Sequence, residues 1–196
     1  MKKKVQNVSR PGLQDDRRTQ KTKKYLADAL KALIVEKGYD AITIQDIIDR
    51  ANVGRSTFYA HYESKEQLLV GNINFQKALV DVPPDDHEHY PMGVNVSYLF
   101  NHTKEHLQLS KAMFGTKSIE IISNHFAEIC AGKIYAYLKG SSPGTAATLK
   151  MNKYKAEAAA GGITRMLFAW LANDADIAVE VMIAQAKKIL DTCRAL

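Results

Sequence analysis

Two cysteines and one tryptophan in 196 residues leave no room for a disulfide framework. Cys130 and Cys193 each fall within an apolar helical pattern, which reads as buried free thiols in a reducing compartment, with a single disulfide between them as the competing reading. No stretch approaches the roughly 18 unbroken apolar residues of a membrane span, so no membrane partner is expected. The N-terminal "MKKKVQNVSRPGLQDD" has the positive start of a signal peptide without its apolar core, and a cytoplasmic location is expected. Signatures of catalysis are missing as well. There is no phosphate-binding glycine loop, no G-x-S-x-G, no paired cysteine motif and no H-E-x-x-H, so an enzyme is poorly supported and no cofactor is expected. The loop "DDHEHY" at 85–90 offers histidines and carboxylates, but beside a proline-rich break and without fixed helical spacing it reads as solvated, and no metal is expected. Strand-like alternation longer than a few residues is absent, as are internal repeats.

What remains is a chain 46% hydrophobic and 24% charged, as in globular domains, with an uneven charge. Residues 1–70 hold 14 Lys+Arg against 9 Asp+Glu, whereas residues 71–196 hold 13 against 12. Nearly all of the net +6 therefore lies in the first third, which suits a polyanionic partner, although a basic solubilising tail would count the same way.

Apolar periodicity predicts an all-α fold of about nine helices. Residues 1–16, polar and with a Pro-Gly pair, read as a flexible basic arm. From Arg17 a first helix of about twenty residues carries Tyr25, Leu26, Ala29, Leu30, Leu33 and Ile34 at helical spacing and stops at Gly38. Its first turns are basic, with Arg17, Arg18, Lys21, Lys23 and Lys24, a placement that opposes the helix dipole unless an anion is nearby. In "TIQDIIDRA", Thr43 and Asp46 form a capping box for a short second helix. Asn52-Val53-Gly54 then breaks the pattern, and Ser56–Tyr62 resumes it around Phe58. Ser64-Lys65-Glu66-Gln67 caps another helix, spanning 65–80 and linking the two parts of the chain. Further helices are expected near 92–106, 107–114, 117–139, 149–172 and 176–194.

A supporting helix followed by two short helices on a tight turn is the helix-turn-helix arrangement, whose second helix enters the major groove. Its early residues here are Arg55, Ser56 and Thr57: a two-pronged donor for guanine, a hydroxyl of either sense, and a hydroxyl with a methyl for thymine. Tyr59 and His61 follow on that helix, and Lys65 opens the next one, as candidates for phosphate. Tyr62 reads as mostly structural, and His61 would elsewhere be a surface or core histidine.

With "ALIVEKGYDAITIQDII" and "ANVGRSTFYAHYESKEQLL", residues 17–70 resemble the DNA-binding domain of the TetR family of bacterial transcriptional regulators. The resemblance implies that Thr43 contacts phosphate, that Arg55, Ser56 and Thr57 approach bases, and that Tyr59, His61 and Lys65 hold the backbone. Asn52 stands where the family usually has Gly, and Gly54 where a capping Ser is common. Asn accepts left-handed geometry and Gly is a tolerable N-cap, so the turn should survive. Residues 71–196 would then be the helical ligand-sensing and dimerisation domain, pairing as a homodimer through the last two helices. Small residues at Ala156, Ala158–Ala160, Gly161 and Gly162 permit close helix approach. The "AGGI…W" stretch before "NDAD" resembles a C-terminal type of uncharacterised TetR-like regulators and of the dihydroxyacetone kinase coactivator group.

The resulting expectation is a repressor that binds a palindromic double-stranded DNA operator as a homodimer and responds to a small-molecule effector. The alternative is a coactivator controlled by a protein partner. Tyr98, His102, Phe114, Phe126, Met166 and Trp170 are candidates for an effector pocket, with ordinary core packing as the competing reading of the same residues.

Overall fold

Local chemistry accounts for each helix boundary around the turn at residues 52–54. The computed structural model describes residues 11–71, 89–141 and 144–195, with side chains from Arg17 onward. Helix α1 spans Pro11–Lys37, so the chain is already helical six residues ahead of Arg17. Gly38, at φ +74°, turns the chain out of it. Helix α2, Ile44–Ala51, is opened by Thr43: the Thr43 hydroxyl accepts from the Asp46 amide while the Asp46 carboxylate accepts from the Thr43 amide. It closes at Asn52, whose left-handed backbone (φ 52°, ψ 49°) does what glycine does elsewhere. Gly54 then enters helix α3, Arg55–Tyr59, in extended conformation and with no side-chain cap. Helix α4 follows at Lys65–Gly71. Residues 1–10, the remainder of the helix expected to 80, and Asp85 to Glu88 of the "DDHEHY" loop lie outside the described residues.

A 3₁₀ turn at Pro91–Gly93 leads into the second group: α5 Val96–Glu105, α6 Leu107–Met113, α7 Lys117–Ser141, α8 Ala146–Ala172 and α9 Val179–Ala195. The described residues thus form nine α-helices, and no helix among them is long and apolar enough to cross a membrane. Cys130 and Cys193 are buried and unpaired, and burial pushes the Cys130 thiol up to about 12.

Two apolar cores result. One gathers Leu26, Leu30, Ile34, Tyr39, Ile47, Phe58 and Leu68 of the helix-turn-helix unit and continues into Met113 of α6 and Ile122 of α7. The other packs α5, α7, α8 and α9 around Phe100, Phe126, Ile163, Leu167 and Trp170. Phe168 touches both. One polar tie also joins the groups: the Asp40 carboxylate, in the α1–α2 loop, accepts from the Lys117 amide at the start of α7 (3.1 Å). The three-helix unit is therefore attached to the second group by shared apolar packing and a borrowed helix cap.

Candidate nucleic-acid interface and interior cavity

Phe58, fully buried, fixes α3 to the unit and so decides which side chains of that helix face outward. Arg55 and Ser56 are exposed on its first turn and Thr57 is half-buried beside them. The Arg55 guanidinium donates through Nη2 to Gln45 Oε1 (3.0 Å), while Gln45 Nε2 donates to Asp49 (2.8 Å). Gln45 of α2 is thus a steadying residue that the linear pattern did not reveal, because the contact crosses the turn. Tyr59 is 48% exposed, its ring edge-on to Phe58. Tyr62 is buried against the same ring.

Three candidates have more particular settings than the sequence suggests. His61 lies beyond α3, which ends at Tyr59: its amide reaches back only three residues, to the Phe58 carbonyl, and the helix closes there. Thr43 is exposed, but its hydroxyl both donates to Asp46 Oδ2 (2.6 Å) and accepts from the Asp46 amide (3.1 Å). Lys65 is half-buried. Its ammonium donates to the carbonyls of Tyr39 (3.1 Å) and Ile42 (2.8 Å) and sits 4.4 Å from the Tyr39 ring centroid. Two of its three donors are therefore spent on the α1–α2 loop, which makes Lys65 first a strut of the unit and leaves one hydrogen for any phosphate.

Arg17, Arg18, Lys21 and Lys24 are exposed along the early turns of α1, and the first turn of α1 holds no acidic residue. Asp46, the acid nearest the motif's start, is held well below the usual carboxylate range by Lys37 (2.8 Å) and by the Thr43 hydroxyl and amide. Its charge is offset locally.

Away from this face a cavity of about 130 Å³ lies between the two groups of helices. Leu30 and Ile34 of α1 and Leu69 of α4 line one side, and Ser110, Phe126 and Leu167 of α6, α7 and α8 line the other. Of the pocket candidates, His102 and Phe126 are on its wall. Tyr98 stacks on His102, while Phe114 and Met166 pack partly buried against the second core. Trp170 is buried beside Phe100, its indole N–H donating to the Ile177 carbonyl (2.9 Å), which is a core role.

Known proteins share both halves of this plan. A family model described as "Bacterial regulatory proteins, tetR family" matches residues 26–71, and one described as "Transcriptional regulator C-terminal region" matches residues 95–192. The uncharacterized HTH-type transcriptional regulator YxbF of Bacillus subtilis (strain 168) is 46% identical over 57 residues, 29% of this chain and 15% of that protein. The HTH-type dhaKLM operon transcriptional activator DhaS of Lactococcus lactis subsp. lactis (strain IL1403) is 30% identical over 69 residues, 35% of this chain and 36% of its own length. The chain therefore matches well under half the length of either relative. The crystal structure of a TetR transcriptional regulator from Streptococcus agalactiae 2603V shares the fold, with a TM-score of 0.58 at 23% identity over 91% of this chain and 98% of that one. Since one family model covers the helix-turn-helix unit and a second covers the helices packed upon it, this chain belongs to the TetR family of DNA-binding transcriptional regulators, a family that does not catalyse reactions.

Proposed function

We propose that the chain is a repressor that binds a palindromic operator as a homodimer and lets go when a small molecule enters the interior cavity. The observation that carries this reading is the cavity's shared wall, the smaller part from α1 and α4 of the DNA-binding unit and the larger part from α5 to α8. A molecule that binds there with different affinity in two arrangements of α1 shifts the population between them, and affinity for DNA follows. At about 130 Å³ the space suits a molecule of about one ring, since an apolar cavity of about 150 Å³ holds benzene. Arg55, Ser56 and Thr57 read bases in this scheme, with Thr43, Tyr59, His61 and the remaining donor of Lys65 on phosphates.

Pairing through the last two helices is supported by the exposed Met151, Tyr154, Ala158 and Gly161 of α8, which share one helical face. Ile177, just before α9, and Val181, in its first turn, are also large, apolar and exposed. One helix-turn-helix reads only a few base pairs, and a two-fold dimer sets two of them about one turn of DNA apart.

The test starts with binding to the DNA upstream of the chain's own coding sequence across a salt series, where log affinity should fall linearly with log salt. A panel of single-ring compounds is then screened by melting temperature. Compounds that raise it should weaken operator binding; raised melting with unchanged operator affinity would refute the coupling. Control by a protein partner is the second reading, and the likeness to the dhaKLM operon transcriptional activator DhaS keeps activation beside repression. A stoichiometric partner recovered with the chain, together with failure of every cavity ligand to alter DNA binding, would select it.

A further inference from the structure

The end of α5 gathers three metal-ligating side chains that DNA binding does not use. His102 and Glu105 lie on α5, and His106 is the residue at which α5 ends and α6 begins. One donor atom from each lies within 4.8 Å of the other two. In a tetrahedral zinc site, with bonds of about 2.0–2.1 Å, ligand atoms stand about 3.4 Å apart, so an ångström-scale rotation of the outer side chains completes the geometry. Glu105 and His106 are exposed, while His102 is half-buried and its ring is stacked on that of Tyr98 at 5.2 Å. The His102 and His106 rings are 4.5 Å apart.

We propose that His102, Glu105 and His106 form a binding site for one divalent transition-metal ion of zinc-like preference, with water in the fourth position. The donor set is two imidazoles and one carboxylate, the composition of three-ligand zinc sites, and imidazole discriminates against magnesium and calcium. Residues three and four apart on a helix share a face, which is why H-x-x-E-H converges on one point. The ion also sits where the α5 dipole is negative. Burial, followed by the neighbouring His106, lowers the pKa of His102. Lys31 of α1 adds to that lowering and opposes the ion, while Glu105 acts the other way and supplies the compensating charge. Both histidines line the wall of the cavity described above, yet the site stands on its own ligands and not on the proposed effector response.

The test uses the untagged full chain, stripped with chelator, titrated calorimetrically with Zn²⁺ and spectroscopically with Co²⁺. One ion per chain is expected, with the visible Co²⁺ bands strengthening to tetrahedral intensity. His106→Ala, at an exposed position outside the core, should fold normally by circular dichroism and lose about tenfold or more in Zn²⁺ affinity, and Glu105→Gln should also weaken it. His89→Ala and His125→Ala should leave affinity unchanged. Zn²⁺ affinity unaltered by both His106→Ala and Glu105→Gln would overturn the assignment, as would the absence of binding by either ion up to millimolar concentration.

Discussion

Arg55 and Lys65 carry the same charge and stand ten residues apart, yet their surroundings give them different work. Arg55 is exposed and held by one neutral partner, Gln45, so it can exchange that bond for a guanine edge at little cost. Arg55→Ala should therefore cost about 1 to 3 kcal/mol on the operator and much less on random DNA, measured by fluorescence anisotropy on both. Equal losses would assign it to the backbone instead. Lys65→Ala should act first on the fold, because the Tyr39 and Ile42 carbonyls lose a charged donor, a loss of about 1.5 to 3 kcal/mol in a urea melt. An unchanged melt with uniformly weaker DNA binding would make Lys65 a phosphate contact alone. The outward set on α3 was legible in the sequence because turn chemistry at Asn52 and Gly54 fixes where that helix starts. The anchoring of Lys65 was not, because its acceptors are carbonyls 23 and 26 residues away in the chain. The H-x-x-E-H spacing was visible but falls outside the H-E-x-x-H pattern by which helical zinc ligands were sought.

At the scale of the element, capping decides most boundaries. Those set by neighbouring residues were legible: the Thr43–Asp46 box, the Asn52 turn and the break at Gly38, at positive φ. The long helices α7 and α8 also fell near their expected spans, since apolar periodicity over many turns is a strong signal. A cap borrowed across the fold leaves no such trace. Asp40 supplies an acceptor to the first amide of α7 from 77 residues away, with its negative charge at the positive end of that helix. Asp40→Ala should lower stability by about 1 kcal/mol, and Asp40→Asn, which keeps an acceptor but not the charge, by less. Both are read as midpoints in a thermal or urea melt. Identical melts for Asp40→Ala and the unmodified chain would mean that apolar packing, with Met113, Ile122 and Phe168 in it, holds the two groups together without the cap.

For the whole molecule, the decisive question is which surface a second copy covers. Helix α8 has two faces: Ala156, Ala159, Ala160 and Ile163 are buried in the second core, while Met151, Tyr154, Ala158 and Gly161 are exposed on the other side. A side chain added at Gly161 meets nothing within 4 Å in the single chain. Glycine inside a helix also costs about 1 kcal/mol relative to alanine, so a larger residue there should leave the isolated chain as helical as before, or more so. Near a two-fold axis the effect reverses: a glutamate would fill the close approach and meet the carboxylate of its own copy. Gly161→Glu should therefore keep its helix content by circular dichroism and sediment as a monomer. Its operator affinity should fall about 100-fold or more, because the second half-site no longer binds as an intramolecular event. A variant that remains a dimer with full operator affinity would put the interface elsewhere on the molecule.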